Sequence, residues 1–539
     1  MSPYSKLAFV LGSIFCTVTA FSQDILWEKS YGGKHADFLF DVQPTADYGF
    51  LLAGSSLSNK TGNKTEPNNG NLDYWLWKMN EGGDLDWQKN YGGSGIDMLY
   101  SVKNTRDGGF ILGGSSNSPE GFDKKDPCLG LEDFWIIKLN AKGGEEWQKT
   151  IGGAGSDVLK TIIQTRDGGY IIGGSSSSGV SEKILNGGVD PYGKSEKNRG
   201  ALDFWIVKLD AQGKIKWQKT FGGRYADVLQ SLEQTQDNGY IIGGTSNSPA
   251  SQDKTSDSYG ASDFWVIKLD AEGNMQWQNI FGGEGDDRLS VITQTKDKGY
   301  IIGGSSASSA TGNKKKPSKN GTDFWILKLD EAGEITWQET YDNGATDLLV
   351  SLIENNDGSY LVGGYSKTET TGTTKTDKKE INDYLAFRIN EKGEEIWKAT
   401  AGSNGEDVLQ KVVETRDRGY IMAGTAKGKA SRDREGNRGS NDFWVVKLRD
   451  THKTDAAQEK QMLEAIPNPA QQYTNVIVGY EFTTGTATVY DLGGRQLQQT
   501  QVTGRTIPID LSPYPEGMYI IEVATNSGTH SVKVLKRKN

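Results

Sequence analysis

Short apolar runs recur along residues 24–449, and tight-turn residues separate them. The stretch from Asp263 to Tyr300 shows the pattern, which recurs seven times with small changes. One unit contains Leu289–Thr295, Tyr300–Ser306, Asp323–Leu329 and Ile335–Tyr341, which are rich in β-branched and aromatic residues. Segments of this kind are typical of β-strands. Each unit is therefore predicted to form a four-stranded antiparallel sheet.

A fixed period relates the units. Turns such as Asp107-Gly108 and Asp167-Gly168 tolerate the positive φ that a tight hairpin needs. An aspartate follows each aromatic-Gly-Gly segment or its equivalent, and the spacing is 60 residues except once, where it is 70: Asp37, Asp97, Asp157, Asp227, Asp287, Asp347 and Asp407. Repeats of this length built from short strands predict a β-propeller, here with seven blades.

The two ends of the repeat region complement each other. The region begins with a lone fourth-type strand, Ile25–Tyr31, and its last unit ends at Phe443–Leu448 without a fourth strand. Pairing of these two segments would remove an exposed sheet edge. The fold class is predicted as all-β, with a seven-bladed propeller over residues 24–449 closed by its N-terminal strand.

Tryptophan and glycine occupy fixed places in the units. Although only 35% of the chain is hydrophobic, its 14 Trp residues provide large surfaces for burial. Seven lie on fourth strands, namely Trp27, Trp87, Trp147, Trp217, Trp277, Trp337 and Trp397, and six lie on third strands, namely Trp75, Trp135, Trp205, Trp265, Trp325 and Trp444. We expect these rings to pack between units; stacking on carbohydrate is the alternative.

The repeat region resembles bacterial and archaeal repeat proteins with the signature W-x-K-x-[FY]-G-G-x-x-x-D and D-G-G-Y-[IL]-[IV]-x-G. The matching residues include Trp147–Gly153, Asp157 and Asp167–Gly174. The resemblance covers all seven units and implies a propeller, but no activity. The sixth unit departs most, because Asp342-Asn343 replaces Gly-Gly and Leu385 replaces Trp.

The N-terminus has the features of a secretory signal over residues 1–22. Lys6 precedes the apolar run Leu7–Leu11, and the small residues Ala20 and Ser22 fit a cleavage site. Acylation of Cys16 is the alternative, although Phe15 stands where a small residue is preferred. No later stretch has the roughly 18 apolar residues of a membrane helix. Cys128 is then the sole cysteine of the mature chain, which excludes an intrachain disulfide.

The composition changes after residue 449. Residues 450–465 are polar and glycine-free and are predicted to form a linker. Residues 466–539 form a second domain, whose regular short strands predict a small Ig-like β-sandwich. The predicted strands are Asn475–Tyr480, Thr486–Tyr490, Thr506–Asp510, Met518–Val523 and Thr529–Leu535.

This second domain resembles the type A C-terminal sorting domain of type IX secretion cargo, found in Bacteroidetes. The matching positions run through the domain in order: Pro467, Asn468, Pro469, Tyr490, Asp491, Gly494, Arg495, Gly517, Tyr519, Lys533 and Lys536. The resemblance implies Sec export, contact with the type IX machinery, passage through the outer membrane, removal of the domain and often attachment to surface lipopolysaccharide. An ordinary accessory sandwich is the alternative.

Residues suited to catalysis are scarce. His35, His452 and His530 are far apart in the chain, so no histidine-based triad or zinc site is expected. Three aspartate series recur: the one after Gly-Gly, one in the first hairpin turn, and one before the third strand, namely Asp73, Asp133, Asp203, Asp263, Asp323, Asp383 and Asp442. Sevenfold repetition favours a structural role, with the carboxylates accepting hydrogen bonds from turn amides. We expect no catalytic residue, cofactor or metal site; a cation held by the first series is the alternative.

Charge is unevenly distributed over the predicted loops. The net charge of −10 argues against nucleic acid as a partner. Two loops between second and third strands are nevertheless basic, in the fifth unit (Lys314, Lys315, Lys316 and Lys319) and in the seventh (Lys427, Lys429, Arg432, Arg434 and Arg438). They would suit an acidic glycan or lipopolysaccharide; a solvated charge run is the simpler interpretation.

These patterns favour a binding protein over an enzyme. We expect a secreted protein, free or anchored at the outer-membrane surface, that recognises extracellular glycan, envelope or protein ligands through loops on a rigid scaffold. A polysaccharide-acting extracellular enzyme and a structural cell-coat protein are the alternatives.

Overall fold

The computed structural model describes residues 24–355, 357–369, 380–415, 419–450, 462–480 and 482–537. The predicted signal segment, with Cys16, and most of the predicted linker, with His452, lie outside the described residues.

Residues 24–449 form seven four-stranded antiparallel sheets, as the repeat predicts. The N-terminal strand is β1 (Asp24–Tyr31). The first sheet contains β2 (Asp37–Pro44), β3 (Phe50–Ser56), β4 (Asp73–Met79) and β5 (Leu85–Tyr91). The second contains β6 (Asp97–Asn104), β7 (Phe110–Ser116), β8 (Asp133–Leu139) and β9 (Glu145–Ile151). The third contains β10 (Asp157–Gln164), β11 (Tyr170–Ser176), β12 (Asp203–Leu209) and β13 (Ile215–Phe221), with the short helix α1 (Glu182–Leu185) in its long loop.

The remaining four sheets repeat this order. The fourth contains β14 (Asp227–Gln234), β15 (Tyr240–Ser246), β16 (Asp263–Leu269) and β17 (Met275–Phe281). The fifth contains β18 (Asp287–Gln294), β19 (Tyr300–Ser306), β20 (Asp323–Leu329) and β21 (Ile335–Tyr341). The sixth contains β22 (Asp347–Glu354), β23 (Tyr360–Glu369), β24 (Glu380–Ile389) and β25 (Glu395–Ala401). The seventh contains β26 (Asp407–Glu414), β27 (Tyr420–Lys427) and β28 (Asn441–Arg449), together with β1.

The first and last strands of the region pair, as the chain ends predict. β1 runs antiparallel to β28, with Tyr31 opposite Phe443 and Asp24 opposite Arg449. Each sheet packs against the next in sequence, and β2 of the first sheet packs against β26, β27 and β28 of the seventh. The first sheet therefore packs against both the second and the seventh.

Aromatic side chains form the contacts between sheets. The third-strand tryptophans are fully buried, and each lies against an aromatic ring of the preceding sheet. Ring centroids are 4.6–5.1 Å apart in the pairs Phe443–Trp75, Tyr74–Trp135, Phe134–Trp205, Phe204–Trp265, Phe264–Trp325 and Tyr384–Trp444. This confirms that these rings pack between units. In the sixth sheet, where Leu385 replaces Trp, Phe387 packs on Phe324 at 5.8 Å instead.

Glycines in the second strands let the sheets approach one another. A Cβ added at Gly113 would lie 2.9 Å from Ile162 Cγ2 of the next sheet. That separation is too short for two carbon atoms, so a larger residue would push the sheets apart. The β-branched and aromatic residues around these glycines supply the buried area.

Residues 462–537 form two packed sheets. One contains β29 (Leu463–Ile466), β30 (Tyr473–Val478) and β33 (Thr506–Asp510). The other contains β31 (Gly485–Asp491), β32 (Gln496–Val502), β34 (Gly517–Thr525) and β35 (Gly528–Lys536). Apolar side chains from both sheets form one core that includes Val476, Val489 and Ile521.

The structure contains two strands in this part of the chain that the sequence did not predict, β29 and β32. The sequence placed residues 463–465 in the linker, but β29 begins at Leu463 and pairs with β30. The strand β32 was missed because it has the polar sequence QLQQTQV and is an edge strand exposed to solvent. An edge strand with one free side needs no apolar alternation, so its pattern carries little signal.

Candidate functional site

The loops between second and third strands meet the connections between sheets at one end of the structure. Gly32 N–H donates to Asn63 Oδ1 at 2.8 Å, and Leu57 N–H donates to the Ala36 carbonyl at 2.9 Å. The corresponding contacts recur in other sheets, for example from Asn117 N–H to the Ile96 carbonyl at 3.1 Å. We call this end the loop face, and the opposite end, which carries the hairpin turns, the turn face.

Buried aspartates anchor the loop face. The aspartate that opens each first strand accepts a hydrogen bond from the N–H four residues earlier: Gly33 to Asp37, Gly93 to Asp97, Gly153 to Asp157, Gly223 to Asp227, Gly283 to Asp287, Asn343 to Asp347 and Ser403 to Asp407, at 2.5–2.8 Å. All seven are fully buried. The prediction that these residues cap their own connections is confirmed.

The aspartates that open the third strands act in the same way. Asp73, Asp263, Asp323 and Asp442 accept the N–H four residues earlier at 2.6–2.8 Å. Burial raises the pKa of Asp73, Asp203, Asp263 and Asp323 to about 6. The carboxylates are therefore costly to ionise where they stand.

A buried cation accompanies the aspartates in six of the loops. Lys64, Lys124, Lys194, Lys254, Lys314 and Arg434 are each at most 3% exposed. Burial lowers the pKa of Lys64 to about 8, and the negative charges of Asp37 and Asp73 partly offset this effect. These cations thus neutralise the carboxylates within their own sheets.

Two of the nine basic residues predicted to bind ligand belong to this buried series. Lys314 Nζ donates to Thr340 Oγ1 at 3.0 Å and lies 5.1 Å from the centroid of the Trp325 ring. Arg434 donates to Asp442 Oδ2 at 2.5 Å and to Ser30 Oγ at 3.1 Å. Neither side chain is accessible from solvent. The sequence signal that distinguishes these two residues from the other seven is their position, which a basic residue occupies in six of the seven loops.

The other seven basic residues are exposed on the loop face. Lys315, Lys316 and Lys319 belong to the fifth sheet's loop, and Lys427, Lys429, Arg432 and Arg438 belong to the seventh sheet's loop. Two of them also make ion pairs, Lys316 with Glu339 and Arg432 with Asp383, the latter at 2.9 Å. The sixth sheet's loop lies between them in sequence, and its residues 370–379 are outside the described residues.

Exposed apolar side chains share this face, and sequence reasoning missed them. Phe122, Leu131, Val189, Tyr225 and Tyr259 are 51–80% exposed, and all belong to loops or connections of the second to fourth sheets. In the sequence, these side chains could have been recognised as large apolar residues in otherwise polar loops. The loop face thus presents both exposed cations and exposed rings.

The described residues do not bring a catalytic constellation together. His35 lies on the loop face, whereas His530 stands in the C-terminal sandwich, 5.2 Å from the Tyr480 ring. Burial raises the pKa of the Cys128 thiol to about 12, so it stays protonated at neutral pH. A cleft of about 660 Å³ on the turn face is lined by charged groups, of which Lys328 and Asp297 already pair at 2.8 Å.

The motif residues of the C-terminal domain hold its fold together. Pro467 and Pro469 flank Asn468, which donates to the Lys533 carbonyl at 2.8 Å and accepts from Leu535 N–H at 2.9 Å. The start of the domain is thereby tied to its last strand. Lys536 Nζ donates to the Leu511 carbonyl at 2.8 Å.

The middle of the motif forms a tight turn. Asp491 Oδ1 accepts from Arg495 N–H at 2.9 Å, and Gly494 has a φ of +79°, a conformation that favours glycine. Tyr490 precedes this turn at the end of β31. Gly517 opens β34, where the buried Tyr519 donates its hydroxyl to the Pro515 carbonyl at 2.5 Å.

Residues 464–537 match the family model described as the secretion system C-terminal sorting domain. This match confirms the sorting-domain prediction and identifies the chain as type IX secretion cargo, which implies contact with the type IX machinery and export out of the cell. None of the described helices is both long and apolar enough to span a bilayer.

Other similarities are more distant. Over 265 residues the chain is 23% identical to the regulatory protein FlaEY of Caulobacter vibrioides, covering 46% of this chain but only 27% of that protein. Among solved structures, Sqt1 from Chaetomium thermophilum aligns over 80% of this chain and 99% of its own, with 9% identity and a TM-score of 0.37. PhoX from Pseudomonas fluorescens aligns over 80% of this chain and 97% of its own, with 9% identity and a TM-score of 0.33.

Proposed function

We propose that this chain is a secreted binding protein whose loop face recognises acidic glycan or lipopolysaccharide. The scaffold is a seven-bladed β-propeller, supported by seven similar sheets, by the packing of the first sheet against the seventh and by the pairing of β1 with β28. Residues 1–22 act as the signal peptide for Sec export. The sorting domain is removed after passage through the outer membrane, and the propeller stays attached at the cell surface.

The exposed cations of the loop face carry this proposal. Of the nine basic residues, the two that are buried serve the scaffold, whereas Lys315, Lys319, Lys427, Lys429 and Arg438 are exposed and form no side-chain ion pair among the described residues. Charges of this kind attract anionic surfaces at long range. The exposed rings of Tyr225 and Tyr259 on the same face supply apolar surface against which sugar rings can pack.

Retention on immobilised polygalacturonate and on purified lipopolysaccharide tests this function. We expect retention that weakens as salt rises, because the screening length falls from about 10 Å at 0.1 M to about 3 Å at 1 M ionic strength. Changing Lys315, Lys319, Lys429 and Arg438 together to Ser should abolish it. These four are chosen because their side chains form no hydrogen bond or ion pair among the described residues, so the fold should be preserved.

A matched variant separates a site from overall charge. Lys214, Lys216, Lys298 and Lys392 are exposed and belong to the turn face or to strand residues next to it, and changing all four to Ser removes the same charge. This control should bind as the wild type does. An equal loss of retention in both variants would mean that net charge alone causes the binding. Release of shortened glycan would favour a polysaccharide-acting enzyme instead.

A further inference from the structure

The connection between the fifth and sixth sheets departs from the repeat at residue 342. The other six connections place glycine at this position, namely Gly32, Gly92, Gly152, Gly222, Gly282 and Gly402. There is no room for a side chain at these glycines: a Cβ added at Gly282 would lie 1.8 Å from Asp263 Oδ1. Asp342 therefore adds a third carboxylate where a third-strand and a first-strand aspartate already meet.

Asp342 stands together with Asp323 and Asp347. One carboxylate oxygen from each of the three lies within 4.8 Å of the other two, and no other such group of three acidic, histidine or cysteine side chains occurs in the part of the chain that the structure describes. Asp323 and Asp347 are buried, whereas Asp342 is exposed and opens the group to solvent. Three like charges so close together repel one another unless a cation lies among them.

Each buried carboxylate uses Oδ2 to accept a backbone N–H, and its Oδ1 is left without a well-aligned partner, as in nine other aspartates of the two series. Asp323 Oδ2 accepts from Lys319 N–H at 2.8 Å, and Asp347 Oδ2 accepts from Asn343 N–H at 2.6 Å. The Oδ1 atoms of both are buried without a hydrogen-bond partner of good geometry. Ser366, opposite Asp347 in the neighbouring strand, has a buried Oγ in the same condition. Buried oxygens left without partners carry a desolvation cost that a cation would offset.

The series of buried cations is interrupted in the sequence next to this junction. Lys314 attracts Asp323 from the fifth sheet, but its Nζ donates to Thr340 Oγ1. On the side of the sixth sheet, Thr374, which lies outside the described residues, takes the sequence position of the lysine. Lys398 Nζ donates to Asn343 Oδ1 at 2.6 Å. The substitution at residue 342 thus adds a carboxylate at this junction.

We propose that Asp323, Asp342 and Asp347 bind a calcium ion between the fifth and sixth sheets, with Ser366 as a further oxygen donor. All the donors are oxygen atoms, and Ca²⁺ accepts roughly six to eight such ligands in flexible geometry, with water filling open positions. The ion neutralises the added carboxylate and ties the two sheets together at the unit whose aromatic packing differs from the rest.

Calorimetric titration of residues 24–539 with CaCl2 tests the site after treatment with a chelator. Titration to about 10 mM CaCl2 covers the affinities of extracellular calcium modules, which are on the order of 10⁻⁴–10⁻³ M. We expect one Ca²⁺ per chain and a higher melting temperature with Ca²⁺ than with EDTA. Asp342→Gly restores the residue found in the other six connections, so it should fold, bind at least tenfold more weakly and melt at a temperature independent of Ca²⁺.

Two more variants keep the result unambiguous. Asp342→Asn preserves the side-chain volume and should also weaken binding if the glycine variant fails to fold. Glu284→Gln removes an exposed carboxylate from the preceding connection and should leave Ca²⁺ binding unchanged. Absence of Ca²⁺ binding by the wild-type chain, or wild-type affinity in both Asp342 variants, would overturn the site.

Discussion

The ring of Trp75, in the first sheet, lies 4.6 Å from the ring of Phe443, in the seventh. The two residues are 368 positions apart, yet their contact has the same form as Phe134 on Trp205 or Phe204 on Trp265 between consecutive sheets. The first and last units therefore meet through the same packing that joins the others.

Removing β1 should destabilise the repeat region far more than shortening the linker. β1 pairs along β28, and Glu28 accepts from the Trp444 indole N–H at 2.6 Å. We expect deletion of residues 24–33 to lower the melting temperature and promote aggregation, because it exposes a sheet edge. Deletion of residues 455–461 should leave the melting temperature unchanged. Calorimetry on both truncations makes the comparison, and equal melting temperatures would refute a closing role for β1.

The sixth unit indicates how a tryptophan position tolerates change. Trp205→Ala should lower the free energy of unfolding by about 3–5 kcal/mol, since it leaves a large cavity between sheets. Trp205→Leu copies the residue that occupies position 385 and should cost clearly less. Urea denaturation of the two variants measures the difference, and an equal cost would mean that buried volume does not set the stability here.

Burial of the aspartates predicts an unusual dependence of stability on pH. The folded pKa is about 6 for Asp73, Asp157, Asp203, Asp263 and Asp323, and about 7 for Asp407, each mainly because of burial. These values exceed the unfolded value of about 4, so between pH 4 and pH 7 the folded state binds more protons than the unfolded state. Stability should therefore fall as pH rises through this window.

Asp407→Asn tests the predicted fall of stability with rising pH. Its side chain is neutral at every pH, so its melting temperature should fall less than that of the wild type between pH 5 and pH 7, a difference worth about 1–3 kcal/mol. Thermal melts in chelator at several pH values measure it. Asp270→Asn, at an exposed turn, should keep the wild-type slope. A wild-type melting temperature that rises steadily from pH 4 to pH 7 would contradict the prediction.

The strands, the turns and the pairing of the chain ends could be predicted from the sequence repeat, because each unit has the same apolar positions. It could not separate Lys314 from Lys315, since a charged residue in a polar loop looks solvated whether or not it is buried. Only the fold shows that Lys314 lies over Trp325. The Asp342 substitution was visible in the sequence, but its meaning depends on which carboxylates the fold places beside it.

The contrast between those two lysines is measurable. Lys314→Ser leaves the buried Asp287 and Asp323 without their cation and should cost about 2–4 kcal/mol of stability, as loss of one partner from a buried charge cluster does. Lys315→Ser should change stability by less than about 0.5 kcal/mol, because the side chain is exposed. Equal effects in denaturant titrations would contradict the buried assignment of Lys314.

The sorting domain should be needed for export but not for folding of the repeat region. Its buried core contains only residues from the range 463–534. The buried cores between the sheets of residues 24–449 contain no residue of this domain. Deletion of residues 462–539 should therefore leave a folded, protease-resistant chain that accumulates in the periplasm. Fractionation of the host cells locates the chain, and the melting temperature of the purified protein reports its fold.

A point variant distinguishes loss of the sorting signal from simple shortening of the chain. Val489 is fully buried in the sandwich core, so Val489→Asp places an unpaired charge there and should unfold the domain while keeping the full chain length. It should block export as the deletion does. Thr500→Asp, on the exposed face of the edge strand β32, adds the same charge without disturbing the core and should be exported normally. Export of the deleted chain at wild-type levels would mean that another segment directs secretion.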